Sequence, residues 1–230
     1  IHTVKAALSN PNRKKYRLLI SEKSTNLLSE NKEEIPTEFV PRQKIDSILP
    51  SDSVHQGIAL LVAPLKYEPL DGICKTTDKN ALVVILDQIT DPRNIGAILR
   101  SASAFNVTCV VIPNKYTPQM TPTLAKSASG ALDQIPIVNS TNISRTIDTL
   151  KRSEFWVIGL DSGSKQVLSE TNISGKIALV LGSEGSGLRR LTKEKCDFLV
   201  NIPINSRIGS LNVSASAAIA FYAIANIQKI

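Results

Sequence analysis

Three stretches in the C-terminal two-thirds of the chain carry side chains that could do chemistry: DPRNIGAILRSASAF from Asp91, LVLGSEGSGL from Leu179 and SLNVSASAA from Ser210. In the first, a strand ends at Asp87, a turn runs through Asp91-Pro92-Arg93-Asn94, and a helix is expected from near Gly96. Ligands of open α/β sheets bind beyond the carboxyl ends of strands, so this turn is well placed. Asn94 and Arg100 are six residues apart and cannot share a helix face by i+4 spacing. Arg100 could still point back over the turn if Asn94 lies in a pre-helical loop. The competing reading makes Asp91-Pro92 a helix-start device and Arg100 a surface charge.

In the second stretch Gly182, Gly185 and Gly187 follow an apolar run, which implies a tight turn that another group approaches closely. Leu188-Arg189 stands where a phosphate-binding Walker loop needs Lys-Ser/Thr, and the glycine spacing is a poor dinucleotide fingerprint. Glu184 inside the turn would repel a phosphate, so a bound phosphate is not the expected guest. In the third stretch Ser210, Asn212 and Ser214 stand at the start of a helix whose body, AAIAFYAIA, is almost wholly apolar. An N-cap accounts for one of them. A buried helix with so polar a beginning suits contact with a cofactor or substrate.

The totals narrow the class. Hydrophobic residues make up 42% of the 230, which predicts a packed core rather than disorder. The longest apolar runs fall short of the roughly 20 residues that cross a bilayer. Cys74, Cys109 and Cys196 are dispersed, and His2 and His55 are the only histidines, so no zinc site is expected and a reducing compartment is. No export signal is visible, although a chain that begins without Met leaves a trimmed segment open. The net charge of +7 favours a polyanionic partner. Basic clusters occur at Arg13-Lys14-Lys15-Tyr16-Arg17 and at Arg189-Arg190 with Lys193 and Lys195, each either a polyanion contact or a solvated face.

Patterning divides the chain. In residues 1–64 a helix around Val4–Leu8, strands RLLISE, EFVPR and GIALLVA (the last buried), and helices TNLLSENKEE and QKIDSIL predict a small α/β sandwich. Residues 65–79 show no sustained period and are expected to be a linker. From residue 80, strands ALVVILDQI, VTCVVIP, QIPIV, EFWVIGLD, KIALVLGS and FLVNIP alternate with helices GAILRSASAF, TPTLAKSASG, ISRTIDTLKR and Val213–Gln228. Continuous Val/Ile/Leu strands imply a parallel sheet covered on both faces.

In order and spacing, DPRNIGAILRSASAF, LVLGSEGSGL and IPI…GSLNVSASAA resemble the three motifs of the SpoU branch of the SPOUT methyltransferases, over most of residues 82–226. IHTVKAALSNP and SVHQGIALLVAPL resemble the small L30e-like substrate-binding domain fused to such enzymes, as in the type that methylates guanosine of bacterial 23S ribosomal RNA. The resemblance implies an α/β trefoil-knot methyltransferase domain at 80–230 and an L30e-like domain at 1–64. It implies transfer of a methyl group from S-adenosylmethionine to a ribose 2'-hydroxyl of RNA, by a homodimer, without a metal. The matching catalytic set is Asn94, Arg100, Glu184, Ser210 and Asn212. Gly182, Ile202 and Leu211 would hold the cofactor through their backbone, with Gly159 and Leu160 a further wall. Arg13, Lys14, Lys15, Arg17 and Arg93 are the expected RNA contacts. Arg100 is either the general base or, since guanidinium holds its proton firmly, a phosphate contact that stabilises charge on the 2'-oxygen. One departure is Asn106 in place of the motif's usual glycine, where a left-handed turn is expected. The place of action would be cytoplasmic, or mitochondrial in a eukaryote. A tRNA ribose methyltransferase and a non-catalytic RNA-binding member of the same fold are the alternatives.

Overall fold

The computed structural model describes residues 1–24, 35–51, 53–115, 121–171, 173–205 and 207–228; the helix expected over 25–34 lies outside them. Its larger sheet has six parallel strands in the order β6-β5-β4-β8-β7-β9: β4 (Leu82–Asp87), β5 (Cys109–Pro113), β6 (Ile137–Ser140), β7 (Trp156–Leu160), β8 (Ile177–Gly182) and β9 (Phe198–Val200). Every residue of β4 is buried, as the unbroken aliphatic run requires. One face is covered by α4 (Pro92–Ala104), α5 (Pro122–Ala128) and α8 (Val213–Gln228). The other is covered by α3 (Leu70–Thr76) and α6 (Ile143–Arg152), with the short α7 (Arg190–Lys195) against α6 and β7. Chain leaving β4 therefore turns to one face and chain leaving β8 to the other, although the two strands are neighbours. Such a switch point is where ligands of open α/β sheets bind, and here it lies at the carboxyl edge beside Asp87 and its register partner Gly182.

Two expectations change here. Helix α4 begins at Pro92, not near Gly96, because Asp91 Oδ1 accepts from the Arg93 amide at 2.8 Å and Pro92 occupies the first helical position. Asn94 thus sits in the first turn of α4 rather than in a pre-helical loop. The segment 65–79 is not structureless, since α3 packs Cys74, Leu70 and Ile73 against the large sheet. Asn106, at φ +52°, takes the left-handed conformation expected of it.

The smaller sheet has the order β2-β1-β3, from β1 (Lys15–Ile20), β2 (Thr37–Phe39) and β3 (Ile58–Val62). Leu18, Ile20 and Ile58 pack with Val4 of α1 (His2–Ser9) on one side, and Leu19 and Val40 with Ile45 of α2 (Arg42–Ile48) on the other. Strand β3 is half-exposed rather than buried, with Leu61 56% exposed, because the sheet ends there and nothing covers that corner among the described residues. Helix α1 also touches the large unit: Thr3 Oγ1 donates to the Ala125 carbonyl of α5 at 3.1 Å.

Candidate active site

The carboxyl edge of β4, β8, β7 and β9 gathers residues from all three motifs. Glu184 lies in the turn after β8, which closes on itself: Ser183 and Gly187 exchange backbone hydrogen bonds at 3.1 and 3.0 Å. Gly185 and Gly187 have φ of +87° and +65°, which an L side chain rarely adopts. At Gly182 the constraint is space, since a Cβ there would come within 2.3 Å of the Gly187 backbone. The close approach expected at this glycine is thus made by the chain's own turn.

Glu184 Oε1 accepts from Asn94 Nδ2 at 2.9 Å and from Asn212 Nδ2 at 2.6 Å, and Asn212 Nδ2 also lies 3.1 Å from Asn94 Oδ1. One carboxylate oxygen thus joins the first turn of α4, the glycine turn and the entry to α8. Oε2 makes no hydrogen bond among the described residues. Asn94 is buried, whereas Glu184 and Asn212 face solvent. Asn212 is the residue that caps α8, its Oδ1 accepting from the Ser214 amide at 2.9 Å and the Ser214 hydroxyl at 2.6 Å. Ser210 and Arg100 are both exposed, Ser210 with no hydrogen bond and Arg100 with no ion pair among the described residues. Three of the five expected catalytic residues therefore meet, with Glu184 holding both asparagines.

Leu160 and Gly182 end β7 and β8, and Ile202 follows β9, so these half-buried residues line the same edge, with Leu211 immediately before Asn212. Gly159 is packed by its own chain: a Cβ would meet Leu188, Leu199 and Cys196 at 2.8–2.9 Å. A set of contacts absent from the sequence expectations secures this edge. Fully buried Asp87 accepts from Arg189 Nε at 2.7 Å and Thr192 Oγ1 at 2.7 Å, tying the end of β4 to the start of α7. An aspartate closing an aliphatic strand was the available signal.

The basic clusters are less free than their sequence suggests. Arg189 pairs with Asp87, Arg190 with Glu194, Lys193 with Asp161 and Lys195 with Asp148. Burial alone would raise the Asp161 carboxyl, but hydrogen bonds from Lys193 and the Gly163 amide take it below the usual carboxylate value. Arg13 is a correction to the expected RNA contacts. Its side chain is only 10% exposed and lies against Asp133, so it does not face a partner. Lys14 and Arg17 are exposed, Lys14 over the Tyr16 ring and Arg17 beside Glu38, while Lys15 is half-buried. Arg93 is exposed beside Asn94. Among the described residues no His/Cys/Asp/Glu group could hold a metal, and no helix is long and apolar enough to cross a membrane.

The model of the SpoU rRNA Methylase family matches residues 81–222, and that for RNA 2'-O ribose methyltransferase substrate binding matches residues 1–68. The chain belongs to the SpoU rRNA methylase family. A Staphylococcus saprophyticus protein whose name places it among TrmH family tRNA/rRNA methyltransferases is 40% identical over 195 residues, covering 84% of this chain and 78% of its own. Bacillus subtilis YacO, named in the same family, is 35% identical and covers 91% of this chain and 87% of its own. Among solved structures, the SpoU methyltransferase AviRb from Streptomyces viridochromogenes in complex with AdoMet superposes with a TM-score of 0.84. It is 20% identical and covers 98% of this chain and 87% of its own. The SpoU family supplies the enzyme class, an RNA methyltransferase, and the likeness to AviRb supplies the α/β trefoil-knot fold class expected from the motifs.

Proposed function

We propose that this SpoU enzyme methylates a ribose 2'-hydroxyl of large-subunit ribosomal RNA, a guanosine of 23S-type RNA, with S-adenosylmethionine as methyl donor. The observation that carries this reading is the Asn94–Glu184–Asn212 cluster at the switch point, built from one residue of each motif. AviRb, with AdoMet bound, supports the cofactor assignment. The residues present fit that group. Half-buried Leu160, Ile202 and Leu211 offer aliphatic surface to a purine, and open space lies beside Gly185 and Gly187. When bound, S-adenosylmethionine supplies an electrophilic methyl group. The chain's part is alignment and exclusion of water.

Glu184 is positioned for the ribose. Two amides hold Oε1, leaving Oε2 to accept from a sugar hydroxyl. Arg100, exposed and without an ion pair among the described residues, contacts the neighbouring phosphate and stabilises negative charge developing on the 2'-oxygen. Arg93, Lys14, Lys15 and Arg17 contact RNA backbone, with residues 1–64 as the RNA-binding domain, 65–79 as the connection and 80–230 as the methyltransferase domain. The enzyme acts as a homodimer in the cytoplasm; Ala215, Ile219 and Tyr222 form an exposed stripe on α8 that a second copy would cover.

A tRNA substrate is the second reading, since the relatives' names span both RNAs. Transcripts of large-subunit ribosomal RNA and of tRNA are incubated side by side with labelled S-adenosylmethionine. Label in the ribosomal transcript supports the proposal; label confined to tRNA selects the second reading. Calorimetry showing no cofactor binding sinks the enzymatic assignment and leaves an RNA-binding protein.

A further inference from the structure

A buried ion pair outside the active site joins the two sheets' units. Arg13, in the turn before β1, lies with Nε 3.6 Å from Asp133 Oδ1; the two side chains are 10% and 2% exposed. Asn10 Nδ2 donates to both the carboxylate and the carbonyl of Asp133, at 3.2 Å each. Asp133 ends a short 3-10 turn, Ala131–Asp133, that follows α5. Gly130 in that junction has φ +98°, and a Cβ there would come within 2.9 Å of Ala6 Cβ on α1. With the bond from Thr3 to Ala125, α1 is thus seated along α5 and the turn beyond it.

On its other side α5 bears on the active site. A Cβ on Gly96 would come within 2.5–2.9 Å of Ser127, Leu124 and Ala128, so α4 and α5 are in near-backbone contact two residues from Asn94. The chain of contacts runs from the small sheet through α1 and α5 to the first turn of α4.

The pair is poorly suited to a purely stabilising role. Arg13 Nε and Nη1 are buried without a hydrogen-bond partner among the described residues, so the guanidinium's desolvation is incompletely offset. Buried charges of this kind are best attested where they select one arrangement over others. We propose that Arg13 and Asp133 form a docking lock that holds the N-terminal unit at one position on α5. The distance from the RNA-binding surface to the catalytic edge then decides which ribose is methylated. The two are positioning residues for site selection, and the selection part rests on the RNA methylation proposed above.

The test compares the full-length enzyme with Arg13→Ala, Asp133→Ala and the charge-exchanged double variant Arg13→Asp/Asp133→Arg. Amide hydrogen exchange, measured without RNA, reads the lock itself. Exchange in α1 and in 130–135 should rise in each single variant, and fall back in the double. With a large-subunit ribosomal RNA transcript, the single variants should raise KM roughly tenfold or more, leave kcat nearly unchanged, and spread methylation to neighbouring riboses. Calorimetric affinity for S-adenosylmethionine should stay as in the parent. Should a single variant fail to fold, Thr3→Ala probes the same seat more gently, and the same rise in α1 exchange is expected. Unchanged exchange in α1 overturns the lock. Raised exchange with an unchanged methylation position overturns its role in selection. A parent enzyme that labels no RNA defeats the function proposed above, while the exchange result still decides the lock.

Discussion

Glu184 is the residue on which most of the site geometry converges, and the proposed function gives its two oxygens different duties. In Glu184→Gln the remaining carbonyl oxygen can still accept from Asn94 and Asn212, so the fold should stand while the charged acceptor proposed for the ribose is lost. Single-turnover methylation should drop about 10²-fold with cofactor affinity within roughly twofold. Glu184→Ala should also cost about 1–2 kcal/mol in chemical denaturation, because the buried Asn94 amide loses its partner. Away from the site, Asp161 gives a pH signature. Its carboxyl is held below the ordinary value, so the Lys193 pairing stabilises the fold above that value, and the contribution is lost as pH falls through the folded one. Asp161→Asn should flatten the acid limb of stability against pH; an unaltered limb would mean that the pair contributes nothing. Asn94, Glu184 and Asn212 were legible as polar residues in a turn after a strand, in a glycine-rich turn and at a helix start. Their mutual bonds were not, because Glu184 is separated from Asn94 by 90 residues and from Asn212 by 28. Arg13 was misplaced for the same reason: its partner Asp133 carries no local sign of the contact.

At the level of elements, periodicity and caps did most of the work. Six aliphatic runs became the six parallel strands, and the Asp-Pro start signal set the true beginning of α4 four residues ahead of Gly96. Short α7 was hidden because four of its six residues are charged, and of these Lys193 and Lys195 serve cross-element pairs rather than a solvated face. Helix α3 was hidden by the Pro- and Lys-rich composition around it. The close crossing of α4 and α5 yields a clear expectation. In Gly96→Ala the new methyl meets Ser127 and the Leu124 carbonyl, so the helices must separate. Thermal or denaturant unfolding should show a loss of about 1–3 kcal/mol, and methylation should fall with it because Asn94 moves. Parent-like stability would show that the crossing relaxes without cost.

For the whole molecule, family membership explains why two sheets of such different size occur in one chain: the methylase model matches one unit, with the proposed methyl-transfer edge, and the substrate-binding model the other, with the proposed RNA surface. Neither the order β6-β5-β4-β8-β7-β9 nor the knotted path could be read from periodicity, which is silent on how strands are threaded; the motif resemblance carried that part. Helix α8 places Phe221 and Ile224 in the core yet leaves Ile219 42% and Tyr222 60% exposed. In the proposed homodimer, Ile219→Asp should therefore give a monomer in light scattering without lowering core stability; an unchanged mass would remove α8 from the proposed interface. The most direct test of the central claim is the chemical identity of the product. Large-subunit ribosomal RNA incubated with the parent enzyme and S-adenosylmethionine is digested to nucleosides and analysed by mass spectrometry. The account predicts one 2'-O-methylguanosine per transcript, absent with Glu184→Ala. Methyl on a base, or label unaffected by that substitution, would contradict it.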